Sequence, residues 1–198
     1  MVICIDNTKQ FELFSYREFT HAYTEGTQIK WNGVIGKLAL IARDKLHINT
    51  IQTYPNLKEQ SVTISAVLQN ASKQSKKAVL QIQIIGKGKK VVATKMLSVT
   101  IPSGELKKDL RFELGKDVLL WDEFNPNLYT VNVQLIAEKK KLDVLTTTFG
   151  MREVTNKDGM LQVNGRRIFL RGTLECSIFP LKGYPPMDKT GWLKVFNT

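Results

Sequence analysis

The sequence predicts an all-β chain whose central hundred residues or so form a two-sheet antiparallel sandwich, and three observations carry that prediction. Apolar residues recur with a period of two in run after run between positions 48 and 150. The runs are rich in Val, Ile and Thr and lack a 3.6-residue period, so they do not read as helices. Turn residues separate them at intervals of roughly 8–12 positions, which is the spacing of an immunoglobulin-like sandwich of about seven strands. The Cys pair and Trp spacing of antibody domains is missing, so the sandwich has no central disulfide.

Taken in order, residues 1–47 are mixed: a short strand at 2–5, a polar stretch at 6–28, then Trp31 onward to Ala42. They are too few to make a domain. Residues 61–70 alternate most cleanly, with Val62, Ile64, Ala66 and Leu68 facing one way and Thr63, Ser65, Val67 and Gln69 the other. Ala78, Leu80, Ile82 and Ile84 make a second inward row. A tip at 86–90 leads into a strand at 91–101, and Pro102-Ser103-Gly104 is a turn cluster. Leu110, Phe112 and Leu114 share one face of the next strand. Strands at 128–137 and 142–149 are joined by 138–141 as a short hairpin. After Gly150 the pattern changes. Residues 160–163 and 167–170 flank Asn164-Gly165, a strong two-residue hairpin signal because both positions tolerate φ > 0. An irregular Pro/Gly stretch at 179–186 follows, and residues 189–198 suit a first helical turn or two.

Composition excludes several classes. No apolar run reaches the roughly 18 residues of a membrane helix, so no membrane partner is expected. Residues 1–19 lack a basic segment followed by a long apolar one, so no signal peptide is read there. Cys4 and Cys176 are far apart and read as free thiols, and His21 and His47 as isolated surface residues. With no cluster at metal-ligand spacing, no metal or cofactor is expected. The formal charge of +11 raises the question of nucleic acid. Residues 1–60 carry about +1, residues 61–150 about +6 and residues 151–198 about +4. The middle excess comes from Lys76-Lys77, Lys87-Gly88-Lys89-Lys90 and Lys139-Lys140-Lys141, which fall at hairpin tips without interleaved aromatics. Lysines there keep sheets soluble, and a stacking platform is missing, so no nucleic-acid partner is expected.

Four motifs add a family resemblance. They are Trp31-Asn32-Gly33-Val34-Ile35-Gly36, the segment Leu120-Trp121-Asp122-Glu123-Phe124-Asn125-Pro126-Asn127-Leu128-Tyr129, Phe149-Gly150-Met151-Arg152-Glu153, and Leu161-Gln162-Val163-Asn164-Gly165 running on to Leu170-Arg171-Gly172. In order and spacing they resemble segments of glycoside hydrolase family 2, the β-galactosidase and β-glucuronidase kind. The resemblance implies three parts: the C-terminal end of a sugar-binding jelly roll at 1–47, the immunoglobulin-like sandwich at 48–150, and the entry hairpin and first strand of a (β/α)8 catalytic barrel at 151–198. The implied parent is a retaining β-glycosidase acting on a carbohydrate substrate. The implied role of this chain is structural, packing against the jelly roll and the barrel. The two catalytic glutamates of the family lie on later barrel strands, beyond residue 198, so no catalytic residue is assigned here.

Arg171 is the one candidate for substrate binding, on the first barrel strand. Where that strand carries Asn and His in the family, this chain has Leu174 and Cys176, so those contacts do not carry over. Glu175 reads as a wall or ion-pair residue. Thr27 and Gln28 stand where galactosidases of the family place an acidic residue, so the resemblance does not extend to galactose specificity. Trp121 reads as a core or interface anchor. Asp122 and Glu123 are adjacent on extended backbone, where they point to opposite faces and cannot flank one glycosidic bond; they read as turn residues. The rival reading is a stand-alone carbohydrate-binding or adhesion sandwich, which needs a row of exposed aromatics. The aromatics available, Phe112, Trp121, Phe124 and Tyr129, cluster near a turn instead.

Overall fold

A computed structural model of the chain describes residues 2–6, 33–34, 36–172, 174 and 185–197. Contacts divide the chain into two compact units, 41–170 and 1–40 with 171–198. The first holds the sandwich. Its seven strands are β1 (Leu46–Asn56), β2 (Ser61–Asn70), β3 (Lys76–Ile85), β4 (Val91–Ile101), β5 (Gly104–Glu113), β6 (Tyr129–Ala137) and β7 (Lys140–Phe149). They form two antiparallel sheets, β1-β2-β5 and β4-β3-β6-β7. The fourth strand therefore pairs in the sheet of strands three, six and seven, where the constant-type immunoglobulin arrangement puts it beside strand five.

The alternation read in the sequence sets which side chains are buried. Val62, Ile64, Ala66 and Leu68 of β2 face Leu80, Ile82 and Ile84 of β3 and Val131, Val133 and Leu135 of β6 in one cluster, and all are at most 1% exposed. Each such aliphatic side chain contributes about 1.5–3 kcal/mol on burial. Phe112 fills the same core from β5, with Leu106, Leu110 and Leu114 packed at its margin. Polar groups stitch the two sheets together. Asn70, 1% exposed at the end of β2, donates from Nδ2 to the carbonyls of Gln74 and Ile101 at 2.9 and 3.0 Å and accepts from the Ser72 amide. It thus ties β2 to the end of β4 in the opposite sheet with its polar atoms satisfied. On the other edge, β1 slips register between Ile48 and Thr50, and the Asp143 carboxylate of β7 accepts the Ile48 amide at 2.9 Å.

The hairpin signals hold, with one missed. Asn164 and Gly165 have φ of 53° and 75° and join β9 (Met160–Val163) to β10 (Arg166–Arg167). A further strand, β8 (Val154–Lys157), precedes them, giving a three-stranded meander β10-β9-β8. Its turn is Asp158-Gly159, with φ of 52° and 75°, and Asp-Gly is a hairpin pair of the same kind. The β6–β7 tip is shorter than expected. Glu138 and Lys139 alone form it, with φ of 50° and 61°, and β7 begins at Lys140 rather than at 142. A register shift after Leu135 absorbs the extra residue.

Three expectations need correction. Residues 2–5 are not a strand. Of the closing jelly-roll strand that the resemblance implies at 31–36, Gly33, Val34 and Gly36 are not in a strand, and Trp31, Asn32 and Ile35 lie outside the described residues. The hairpin strand expected at 167–170 ends at Arg167: Ile168 keeps one bond, its amide to the Leu161 carbonyl at 3.1 Å, and residues 168–170 are irregular, while of the barrel strand expected from Arg171 onward Thr173, Glu175 and Cys176 lie outside the described residues. The reason is common to all three. A strand is stable only when its amides and carbonyls find a ladder, and neighbours that would supply one are lacking among the described residues. In the second unit, the helix expected near the C-terminus forms as α1 (Lys189–Phe196). Asp188 caps it by accepting the Gly191 amide at 2.6 Å, and Trp192 stacks on Phe196. His21, Thr27, Gln28, Glu175 and Cys176 lie outside the described residues, while Cys4 is a free, exposed thiol.

Candidate functional site

The most elaborately built place on the molecule is where the chain leaves the sandwich. Three of the four motif segments meet there, around Trp121. The Trp121 amide donates to the Met151 carbonyl at 2.9 Å, and Leu120 bridges Met151 in parallel. That short pairing lays the indole against the backbone of Gly150. A Cβ built on Gly150 would stand 2.7 Å from Cβ and 2.8 Å from Cγ of Trp121, closer than such atoms can approach. Glycine is needed at 150 for space, so that the ring can lie on the chain. The Arg152 guanidinium covers the indole, its carbon 4.3 Å from the ring centroid, an arrangement favoured by the ring quadrupole.

The turn that presents Trp121 is closed by its own polar residues. Asp122 Oδ1 accepts the amides of Phe124 and Asn125 at 2.8 and 2.7 Å, and the Asp122 amide donates to the Asn125 carbonyl. The Asn125 amide, and then that of Phe124, hold the Asp122 carboxyl below its ordinary value. Asn127 Nδ2 donates to the Leu120 carbonyl at 2.9 Å. Behind the turn, Tyr129 stacks on Phe149 with centroids 5.3 Å apart, and its hydroxyl accepts the Leu119 amide at 2.8 Å. Tyr129 is buried, so the hydroxyl meets the usual requirement that a buried polar tip find a partner.

The entry hairpin docks on this turn through Asn164. Its Nδ2 donates to the Trp121 carbonyl at 2.9 Å, and its Oδ1 accepts the Glu153 amide at 3.0 Å. Its own amide donates to the Glu153 carbonyl at 2.9 Å. Arg166, just past the turn, pairs with Glu123 at 3.3 Å and lies over the Phe124 ring. Asn164 was expected only to supply a positive φ; its side chain is the clamp between hairpin and sandwich. These bonds dock the hairpin on the sandwich.

Chemically the junction can hold segments together but cannot hydrolyse a glycoside. Asp122 is committed to its turn and Glu123 to Arg166, as their adjacent positions anticipated. Among the described residues no group of three or more His, Cys, Asp or Glu is placed to hold a metal. Arg171 is exposed and outside any strand, and Leu174 is 90% exposed. Of the aromatics a carbohydrate-binding row would need, Phe112 and Tyr129 are buried, Trp121 lies under Arg152, and Phe124 is exposed alone.

The family model described as glycosyl hydrolases family 2 matches residues 46–152. A β-galactosidase from Thermoanaerobacterium thermosulfurigenes is 28% identical over 161 residues, which is 79% of this chain and 22% of that protein. A β-glucuronidase from Streptococcus agalactiae is 26% identical over 183 residues, 86% of this chain and 28% of that one. Among solved structures, a glycosyl hydrolase family 2 member from Bacteroides cellulosilyticus superposes with a TM-score of 0.55 at 27% identity, covering 66% of this chain and 19% of that one. A β-glucuronidase from glycoside hydrolase family 2 gives a TM-score of 0.54 at 28% identity, covering 65% and 15%. The chain spans less than a third of the length of these relatives.

Proposed function

Because the chain belongs to glycosyl hydrolases family 2, we propose that it is a non-catalytic part of a retaining β-glycosidase, holding the immunoglobulin-like sandwich between a sugar-binding jelly roll and the catalytic barrel. On this reading, residues 1–47 end the jelly roll, 48–150 are the sandwich and 151–198 lead into the barrel. The parent hydrolyses a terminal β-glycoside, a galactoside or glucuronide in the relatives by their names. Its acid/base and nucleophile glutamates lie on later barrel strands, past residue 198. The Trp121 junction is the observation that supports a positioning role: it bonds the sandwich to the hairpin that precedes Arg171. Arg171 is the substrate-binding residue this reading assigns, on the first barrel strand once its neighbours are present.

Assay of the purified 198-residue chain with chromogenic β-galactosides and β-glucuronides tests the reading. The expected result is no turnover above background. Turnover that survives repurification, and tracks with this chain on a sizing column, overturns it, since retaining hydrolysis needs two carboxyl groups about 5–5.5 Å apart.

A further inference from the structure

The three lysine clusters look alike in the sequence, but the fold separates them. Lys76 and Lys77 begin β3, and Val79 of that strand pairs with Ile136 of β6, so the β6–β7 tip with Glu138, Lys139 and Lys140 lies beside them. Lys45 joins them at the head of β1, its carbonyl accepting the Ala71 amide at 2.8 Å. Lys87, Lys89 and Lys90 sit past the other end of β3, on an exposed 3₁₀ turn. Two clusters some sixty positions apart therefore converge, and the third is at the opposite end of the sheet.

The convergent end is concave. Two adjoining cavities of about 510 and 350 Å3 share Lys77, Ala137 and Glu138. Ala78 and Val99 give the larger an apolar floor, and Leu46 and Leu142 the smaller. Lys77 and Lys139 border the first, and Lys45, Lys76, Lys77 and Lys140 the second. Glu138 is the one carboxylate lining either among the described residues. Asp143, next along β7, is occupied by the amides of Ile48 and Val144. None of the five lysines is in an ion pair among the described residues. Five ammonium groups against one carboxylate repel one another, and a bound polyanion relieves that repulsion.

We propose that this end of the sandwich binds an anionic polysaccharide, its carboxylate or sulfate groups among the lysines and its sugar rings on the apolar floor. Nucleic acid fits less well. Among the described residues no aromatic lines either cavity to stack a base, and no arginine is there to grip phosphate with two bonds. The proposal rests on the lysines and cavities of the sandwich alone and uses nothing of the role assigned to Arg171.

Titration calorimetry on the 198-residue chain tests it, with oligogalacturonate and heparin as the carboxylated and sulfated probes, neutral dextran and a single-stranded oligonucleotide as comparators, at ~150 mM salt. Two triple variants are compared, Lys45→Gln/Lys77→Gln/Lys140→Gln and Lys87→Gln/Lys89→Gln/Lys90→Gln. All six side chains are exposed and both triples remove the same charge. At least one anionic probe is expected to bind and dextran not to. The first triple should weaken binding about tenfold, the scale of a few exposed ion pairs, and the second by under about twofold. Equal loss in both triples, no binding of either anionic probe, or tighter binding of the oligonucleotide overturns the proposal.

Discussion

The sandwich core and the Trp121 junction are held together in different ways. In the core, β2, β3 and β6 bury rows of aliphatic side chains that are almost wholly removed from water. Any sequence of suitable pattern and volume can build such a core. At the junction, Met151, Tyr129 and Phe149 are buried at the margin of that core, but the groups that join the segments are not. Trp121 is half-buried and Arg152 and Glu153 are exposed, and the order comes from named hydrogen bonds, a ring lying on a glycine and a guanidinium over the ring. The core thus decides that a sandwich forms, and the junction decides how the chain leaves it. Three of the four segments that resemble the family lie at the junction, where substitutions are constrained one by one.

Mutations that separate the two regions sharpen the contrast. Ile82→Ala, in a central strand at 0% exposure, should cost about 2–5 kcal/mol. That is a large share of the roughly 5–15 kcal/mol that holds a domain folded. Urea unfolding should show a lower midpoint with an unchanged slope, since the whole sandwich unfolds together. Gly150→Ala should rank next, at about 1–3 kcal/mol, because the new Cβ forces the indole off the chain. Trp121 fluorescence should change in the folded state for this variant and not for Ile82→Ala. A Gly150→Ala protein as stable as the parent, with native fluorescence, would mean the ring does not pack as described.

The same contrast explains what was legible in the sequence. Period two in β2, β3 and β6 is the direct trace of one buried face, so seven strands and their core rows follow from pattern alone. Pairing partners are a matter of tertiary contact, so the move of β4 into the β3-β6-β7 sheet was not readable. Nor was the clamp made by Asn164: Asn-Gly announces a turn, but the target of the side chain, the Trp121 carbonyl, is 43 positions away. Likewise the resemblance marked Gly150 without showing that Trp121 occupies the space of its missing side chain. The expected strands at 2–5 and 167–170 rest on apolar runs, which signal a capacity to pair and cannot supply the partner. Lys76 and Lys140 were read as separate solvated tips for the same reason.

A smaller effect is expected from Asn164→Ala. It removes one donor and one acceptor at half-exposed sites and puts a Cβ residue with no local hydrogen bond at φ 53°. The cost should be about 1–2 kcal/mol, felt locally. Hydrogen exchange of amides in residues 160–167 should quicken while β2 and β3 keep their protection. Asn164→Gly separates the causes, because it restores backbone freedom and not the bonds. If the Gly variant protects the hairpin as well as Asn164 does, the side chain is no clamp.

The smallest effect concerns acid. The ionised Asp122 carboxylate accepts the amides of Asn125 and Phe124, and protonation weakens both bonds, so folding lowers its pKa. A carboxyl lowered in this way adds stability that is fully present above its unfolded value and is lost as pH falls through its folded value. The turn at 122–127 should therefore be firm at neutral pH and loosen only below the ordinary aspartate value of about 3.9. Because Asp122 is open to solvent, the loss should register locally and leave the unfolding midpoint of the sandwich nearly unmoved. Following the Phe124 and Asn125 amide resonances through an acid titration reads it directly. Their midpoint should fall below that of an unstructured aspartate, and Asp122→Asn should abolish the transition. A midpoint at or above the unstructured value would show that the carboxylate does not hold the turn, and that Trp121 is presented by its neighbours alone.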